Sequence, residues 1–493
     1  MSKIINVQKR ILQRFLNYAS HTTFGKKHDF RNIRSYKDYV SKVPVTTAED
    51  YADLMEEAKR GEADTNWPGT CSRFAESAGT TGAPKILPLN SDRIKSDQVF
   101  LRRVMLSYLK QYPESIAKVF GRQLSFPGNV NGNPDYPGTT FGEVSGHLAL
   151  TAPSFLSKLQ LIPATDGVSM DFSRKLDVAL EKGLNTDLRV ITALPSVMVR
   201  FFQLALKRTG KQRIGEIWPN LCLLISGGEA LPKFRQHLEK LCEGQEQLHF
   251  IENYGSSEGY FAFNTDQSRD DLKLVVDNNV FYEWIPDPSH DPEELLKQPA
   301  VPIWKVEAGK KYAMVVTTNS GIWRYALNDV ITFTDLEQPR IRVIGRVSDV
   351  LDDYGESFEA AHVEVVLDRV AEQSGGVSAA CTVGVHKNEE DESVRHVWFM
   401  EWAEGDKPEN MESFAHAVDR ELRRYNRSYR IRRDAEALSM PLFYDLTRDA
   451  AEKWKQAHTK GSAQTKFPRM ISDPEKTRSL MDYCEEAATR PKP

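Results

Sequence analysis

Apolar and polar positions follow two rhythms along this chain. Short apolar runs of strand length recur at Arg189–Thr192, Cys222–Ile225, His249–Glu252, Phe281–Ile285, Tyr312–Thr317 and Ile341–Ile344. Between several of them the apolar residues fall at helical spacing, as in Val197–Leu206 and Pro232–Leu241. Strands alternating with helices predict an α/β fold. Several runs end in glycine- and serine-rich turns, which is where α/β sheets place ligands. At the start, Ile4, Ile11, Leu12, Phe15 and Tyr18 share one helical face and predict an amphipathic helix. Near the other end Phe414, Val418, Leu422 and Tyr425 repeat at spacings of 4, 4 and 3 behind Asn410, which predicts a helix capped by that asparagine.

The pattern changes after Arg346. Val347–Glu356 is charged, carries Asp349, Asp352, Asp353 and Gly355, and reads as a linker or turn. A helix (Glu359–Val370), a strand (His396–Trp402) and the capped helix follow. The expected organisation is a large N-terminal α/β domain, residues 1–345, and a small C-terminal α+β domain, residues 346–493.

Composition narrows the function. With 493 residues, 40% of them hydrophobic, the chain has enough apolar side chain for a substantial core. Its 65 basic and 69 acidic residues leave a net charge of −4, which argues against a general nucleic-acid binder. No apolar run approaches the roughly 20 residues that span a bilayer, so no membrane partner is expected. Cys71, Cys222, Cys242, Cys381 and Cys484 are widely spaced without a CxxC pair, which fits a reducing, cytoplasmic setting. The first 28 residues hold Lys3, Lys9, Arg10, Arg14, Lys26 and Lys27 and no acid. Their helical apolar face favours a folded helix over a transit peptide.

Three strings carry chemistry. Glu76-Ser77-Ala78-Gly79-Thr80-Thr81-Gly82-Ala83-Pro84-Lys85 joins Gly79 and Gly82, three hydroxyls and a lysine, a set suited to phosphate oxygens. It lacks the Gly-Lys-Ser/Thr of a Walker A loop, and a plain surface turn has the same composition. Tyr254-Gly255-Ser256-Ser257-Glu258-Gly259-Tyr260 runs from a strand into a turn. Gly255-x-Ser257-x-Gly259 matches the nucleophile elbow of a serine hydrolase, but that elbow needs a helix next and Tyr260-Phe261 is a poor helix start. Glu258 equally suits a Mg²⁺ that bridges nucleotide phosphates. In the third string, Trp323-Arg324-Tyr325-Ala326-Leu327-Asn328-Asp329, the aspartate is placed either to accept ribose hydroxyls or simply to end a hairpin. Ser226-Gly227-Gly228-Glu229 reads as a nucleotide contact or as a strand–helix turn with Glu229 at a helix N-terminus. Arg102 and Arg103 are candidate carboxylate clamps.

Taken in order, these strings resemble the adenylate-forming enzymes, and within them the auxin-responsive acyl-acid amido synthetases (the Gretchen Hagen family), in a bacterial-type member. His21–Phe30, Val43-Pro44-Val45, Trp67-Pro68-Gly69, Tyr254–Asn264, Phe281–Pro286, Val306–Lys310 and Gly461–Arg469 all look like that family. Departures are Leu327 and Asn328 before the aspartate, Ser77-Ala78 in place of paired serines, and a chain shorter than the plant members.

The resemblance implies an adenylation domain with a mobile C-terminal domain. It also implies ATP and Mg²⁺ as cofactors, and a small-molecule carboxylic acid and an amino acid or amine as partners. The acid is activated as acyl-AMP and passed to the amine. Coenzyme A is the alternative acceptor; a hydrolase on Ser257 and a non-catalytic nucleotide-binding protein are further alternatives. By carry-over Ser77, Gly79, Thr80, Thr81, Gly82 and Lys85 cradle phosphate. Ser257, Asp329 and Arg346 contact the nucleotide, and Glu258 holds Mg²⁺. Lys466 enters from the C-terminal domain to neutralise the reacting carboxylate and α-phosphate. The acyl pocket is expected at Tyr254, Gly255, Tyr260 and Met198. Oligomeric state has no signature in the sequence.

Overall fold

The computed structural model describes residues 2–77, 85–289, 292–347, 350–351, 358–374, 378–387, 394–402, 406–434, 437–458 and 467–489. Its strands, in chain order, begin with β1 (Arg73–Ser77), β2 (Lys85–Pro88), β3 (Arg122–Ser125), β4 (Val130–Gly132), β5 (Thr140–Gly142), β6 (Leu188–Ala193) and β7 (Leu223–Gly227). They continue with β8 (His249–Gly255), β9 (Tyr260–Asn264), β10 (Leu272–Leu274), β11 (Val280–Pro286), β12 (Val301–Pro302), β13 (Lys311–Thr318), β14 (Tyr325–Asp335) and β15 (Arg340–Arg346). The last are β16 (Val350–Leu351), β17 (Phe358–Glu359), β18 (Ser378–Lys387), β19 (Val394–Trp402), β20 (Leu442–Asp445) and β21 (Met470–Ile471).

An 11-stranded sheet runs β12-β11-β13-β14-β15-β10-β9-β8-β7-β6-β3. Strands β3, β6, β7 and β8 are parallel, and from β8–β9 onward every pairing is antiparallel. The expected strands are therefore strands, and β8 is the last of the parallel set. The parallel half is covered on both faces, which is why its strands read as unbroken apolar runs. Val190, Leu223 and Ile251 pack with Phe100, Val104 and Tyr108 of the helix Ser91–Gln111. Their chain neighbours Ile191, Leu224 and Phe250 face the other way, onto Met198, Phe201 and Phe202 of the helix Pro195–Thr209.

A separate 4-stranded sheet, β2-β1-β5-β4, carries the glycine-rich string. The N-terminal helix Ser2–Tyr18 lies against the antiparallel half of the large sheet, with Ile11, Leu12, Phe15 and Leu16 buried. Its Gln8 is wholly buried: the amide donates to the Val276 and Val280 carbonyls at 2.6 and 2.9 Å and accepts the Tyr282 N–H at 2.9 Å. The basic N-terminal segment is thus stitched into the sheet. Tyr18 departs from the predicted face: it is 52% exposed, because it ends the helix at the rim, where its ring meets Trp67 at 5.5 Å.

Beyond β17 a second 4-stranded sheet, β20-β19-β18-β21, packs the helix Met411–Tyr425. The Asn410 side chain accepts the Ser413 N–H at 2.9 Å, as the cap pattern predicts. Phe414, Val418 and Leu422 are buried, but Tyr425 is largely exposed beside His362 and Arg369. The stripe stops one turn short because an amphipathic ring ends it. Among the described residues no helix is long and apolar enough to cross a membrane.

Candidate active site

The site lies where β8, the last parallel strand, turns back as β9. Gly255 pairs with Tyr260, and the four residues between them close a hairpin turn. Ser256 N–H donates to the Gly259 carbonyl at 2.8 Å and Gly259 N–H donates back at 3.3 Å. Ser257 and Glu258 form its tip, and the Ser256 hydroxyl accepts the Glu258 N–H at 3.2 Å. A side chain at position 255 would run into the Tyr260 ring, with a Cβ only 2.6 Å from Cδ1, so the strand needs glycine there. Ser257 is followed by a strand, and the geometry of a nucleophile elbow is absent here.

Asp329 reaches the same place from β14. The Tyr254 hydroxyl donates to its Oδ2 at 2.7 Å, and Arg346, its cross-strand partner on β15, sits 3.6 Å from Oδ1. Burial, then the Asp329 charge, pushes the Tyr254 phenol well above its ordinary range, so it is a donor at any working pH. Tyr325, at the start of the same strand, is raised by burial and then by the charge of the nearby Glu258 carboxylate. Asp329 thus carries a bonded phenol, and Glu258 has one nearby.

The glycine-rich string joins two paired strands, with Ser77 opposite Lys85. Gly79, Thr80, Thr81 and Gly82 lie outside the described residues, as does Lys466. Lys85 is exposed. The Thr47 hydroxyl, and further off the Lys85 ammonium, lower Glu49, and Glu49 acts in turn on Tyr325. Phe467, the residue after Lys466, packs on Trp454 at 5.2 Å.

Two other candidates, Arg102 and Arg103, are placed differently from expectation. Arg103 is committed to an ion pair with Asp277, and Arg102 points to solvent, so neither forms a carboxylate clamp. Both fall off the buried stripe of their helix. Met198 is fully buried in the core around Phe201 and Phe202. Tyr260 stacks on Phe100 at 5.1 Å. Glu229 does meet a helix N-terminus, but of the preceding helix: it accepts the Ser196 N–H at 3.1 Å and the Ser196 hydroxyl at 3.0 Å.

The sequence reading missed Arg93 and Asp97, a buried ion pair in the helix Ser91–Gln111 that also holds the Ser257–Glu258 turn. A signal was present. Phe100, Val104 and Tyr108 form an apolar stripe, and stepping back by 3 and then 4 residues lands on Asp97 and Arg93.

Three family models together match most of the chain. The GH3 family N-terminal domain matches residues 1–210, its central domain residues 273–346 and its C-terminal domain residues 362–475. The chain is 22% identical over 440 residues to the indole-3-acetic acid-amido synthetase GH3.2 of Arabidopsis thaliana, covering 74% of this chain and 78% of that protein. Among solved structures it resembles the GH3.15 acyl acid amido synthetase, with a TM-score of 0.78 at 16% identity over 97% of this chain and 94% of that one. A 2-hydroxyisobutyryl-CoA ligase in the postadenylation state follows at a TM-score of 0.57 and 12% identity, over 97% of this chain and 91% of that one. The fold is that of these adenylate-forming ligases. The chain belongs to the GH3 family.

Proposed function

We propose that this protein is an ATP-dependent acyl-acid amido synthetase that joins a small carboxylic acid to an amino acid or amine. The observation that carries the reading is the convergence of Asp329, held by the Tyr254 hydroxyl, and the Ser257–Glu258 turn at the end of the last parallel strand. The acid carboxylate attacks the α-phosphorus of ATP, forming the acyl–phosphate bond as the bond to pyrophosphate breaks. The amine then attacks the acyl carbon, loses a proton and displaces AMP. Both steps need positioning and charge neutralisation more than a protein nucleophile.

Asp329 takes the ribose hydroxyls, with Arg346 beside it. Ser257 contacts the nucleotide, and Ser77, Gly79, Thr80, Thr81, Gly82 and Lys85 cradle phosphate. Among the described residues no group of three or more His, Cys, Asp or Glu converges on a metal position. A carboxylate at a nucleotide site fits Mg²⁺, which is held by one or two carboxylates together with substrate phosphates. Glu258 would hold it, and the ion would offset the charge on the departing pyrophosphate. Tyr254, Gly255 and Tyr260 border the acyl pocket, with Met198 behind it. Residues 1–345 form the adenylation domain, and the mobile remainder delivers Lys466.

The test is acid-dependent ATP–pyrophosphate exchange with a panel of aryl, indolyl and fatty acids. Exchange with one acid class, lost in Lys466→Ala, is the expected result. ATP binding without exchange for any acid would replace the reading with a nucleotide sensor.

A further inference from the structure

The Arg93–Asp97 pair is more than a core contact. Both side chains are 2% exposed. Arg93 Nε donates to both Asp97 oxygens, at 2.8 and 2.9 Å. Its Nη1 donates to the Ser257 carbonyl at 3.2 Å and to the Glu258 carbonyl. Those carbonyls belong to the two peptide units that flank the Glu258 Cα, so one guanidinium fixes the backbone on both sides of that residue.

The helix bearing Arg93 is anchored in turn. It starts just after β2, and Asn90 caps it by accepting the Arg93 N–H at 2.9 Å. The Asn90 amide donates to the Asn319 carbonyl at 3.0 Å. Asn319 donates back to the Asp92 carbonyl and the Ser96 hydroxyl, each at 2.9 Å, and Asn279 donates to Ser96 at 2.7 Å. One helical turn is thus tied to the end of the phosphate hairpin, to the Ser257–Glu258 tip and to the loop ahead of β14.

Stability alone gives little reason for ions here. Burying a charge pair gains little over apolar residues of the same volume. What a guanidinium adds is a rigid fork of donors with fixed directions, which neither an apolar side chain nor a lysine supplies.

We propose that Arg93, oriented by Asp97, is a positioning residue that fixes the Ser257–Glu258 turn in the geometry from which Glu258 takes a Mg²⁺ ion bound with ATP. The proposal rests on the adenylation reading and deepens it. It predicts a defect confined to the metal-dependent part of nucleotide binding.

Isothermal titration of ATP, once with Mg²⁺ and once with EDTA, separates that part from the rest. Wild type binds more tightly with Mg²⁺. Arg93→Lys, which keeps the charge and loses the fork, loses fivefold or more in Mg²⁺ and less than twofold in EDTA. A cooperatively melting Arg93→Lys with the wild-type ratio overturns the proposal. Should that variant not fold, Asp97→Asn frees the guanidinium from its counter-ion; a two- to threefold selective loss supports the proposal, and a wild-type ratio overturns it. Wild type that binds no ATP with Mg²⁺ brings down the adenylation reading and this proposal together. Wild-type binding with an unchanged variant removes the proposal alone.

Discussion

Two buried arginine–carboxylate pairs invite comparison. Arg93–Asp97 lies within one helix, and its spare donors reach the tip of the β8–β9 hairpin. Arg324–Glu283 joins β11 to the residue before β14, with side chains 6% and 1% exposed. Its spare donor goes to the Val43 carbonyl at 2.7 Å, and Tyr36 donates to Glu283 at 2.8 Å. Arg324 also holds a left-handed backbone, φ 49°, with its N–H on the Thr317 hydroxyl at 2.9 Å. The chemistry is the same and the destinations differ. One pair spends its donors on the turn that carries Glu258; the other clamps the N-terminal segment to the sheet. A buried ion pair takes its meaning from the third group it touches.

The hardest test of that contrast is Arg324→Met. It strands Glu283 in the core and should lower the unfolding free energy by about 3–5 kcal/mol in urea titration. The ratio of ATP affinities with Mg²⁺ and EDTA should stay at the wild-type value. A ratio that shifts as in Arg93→Lys would erase the distinction between the pairs.

Glu252 sharpens the comparison, as a buried carboxyl without a guanidinium bonded to it among the described contacts. It accepts the Leu231 N–H at 3.0 Å, and burial raises its pKa to about 7. A carboxyl with a raised folded pKa binds its proton more tightly in the native state. Its cost is absent at pH 4, grows as pH rises from about 4.5 to 7, and is complete at pH 8. Glu252→Gln should therefore stabilise the protein by up to about 3 kcal/mol at pH 8 and leave it unchanged at pH 4. Denaturant midpoints at the two pH values decide it, and equal effects at both would refute the assignment.

Tyr254→Phe removes one charge-assisted bond from Asp329 while Arg346 remains. The KM for ATP should rise roughly tenfold, about 1.4 kcal/mol, with kcat little changed. A loss in kcat alone would place Tyr254 outside nucleotide binding. At the bottom of the scale stands Arg448–Glu452, an exposed helical pair at 2.7 Å. Arg448→Ala should change stability by no more than about 0.5 kcal/mol, and less in high salt.

Six of the eleven strands of the large sheet were legible as apolar runs, those of the parallel half because they are buried on both faces. The Asn410 cap was legible because capping is local. Aromatic residues misled at both helix ends: Tyr18 and Tyr425 fit the apolar stripe but sit at its rim, where a ring can be wet on one side. The glycine-rich string, the Ser257–Glu258 turn and Asp329 were found through their order along the chain, as a family pattern. The bond from Tyr254 to Asp329 was not legible, since it depends on a register between strands 75 residues apart. Arg93 and Asp97 were overlooked because an Arg and an Asp four apart on a helix ordinarily face water. Adjacent arginines at 102 and 103 drew attention by proximity, yet helical geometry sends them away from the buried stripe.

The bond from Arg93 to Ser257 spans 164 residues of chain. At ribosomal speeds of roughly 5–20 residues per second, the helix emerges some ten to thirty seconds before its partner turn exists. Through that interval the fork of donors has no hairpin to grip, and the parallel strands that must cover the helix are still being made. The nascent protein thus passes through a stage with β1 and β2 made and neither the β8–β9 turn nor Asp329 yet present. Truncation upstream of that turn leaves a long, sticky fragment for chaperones to hold.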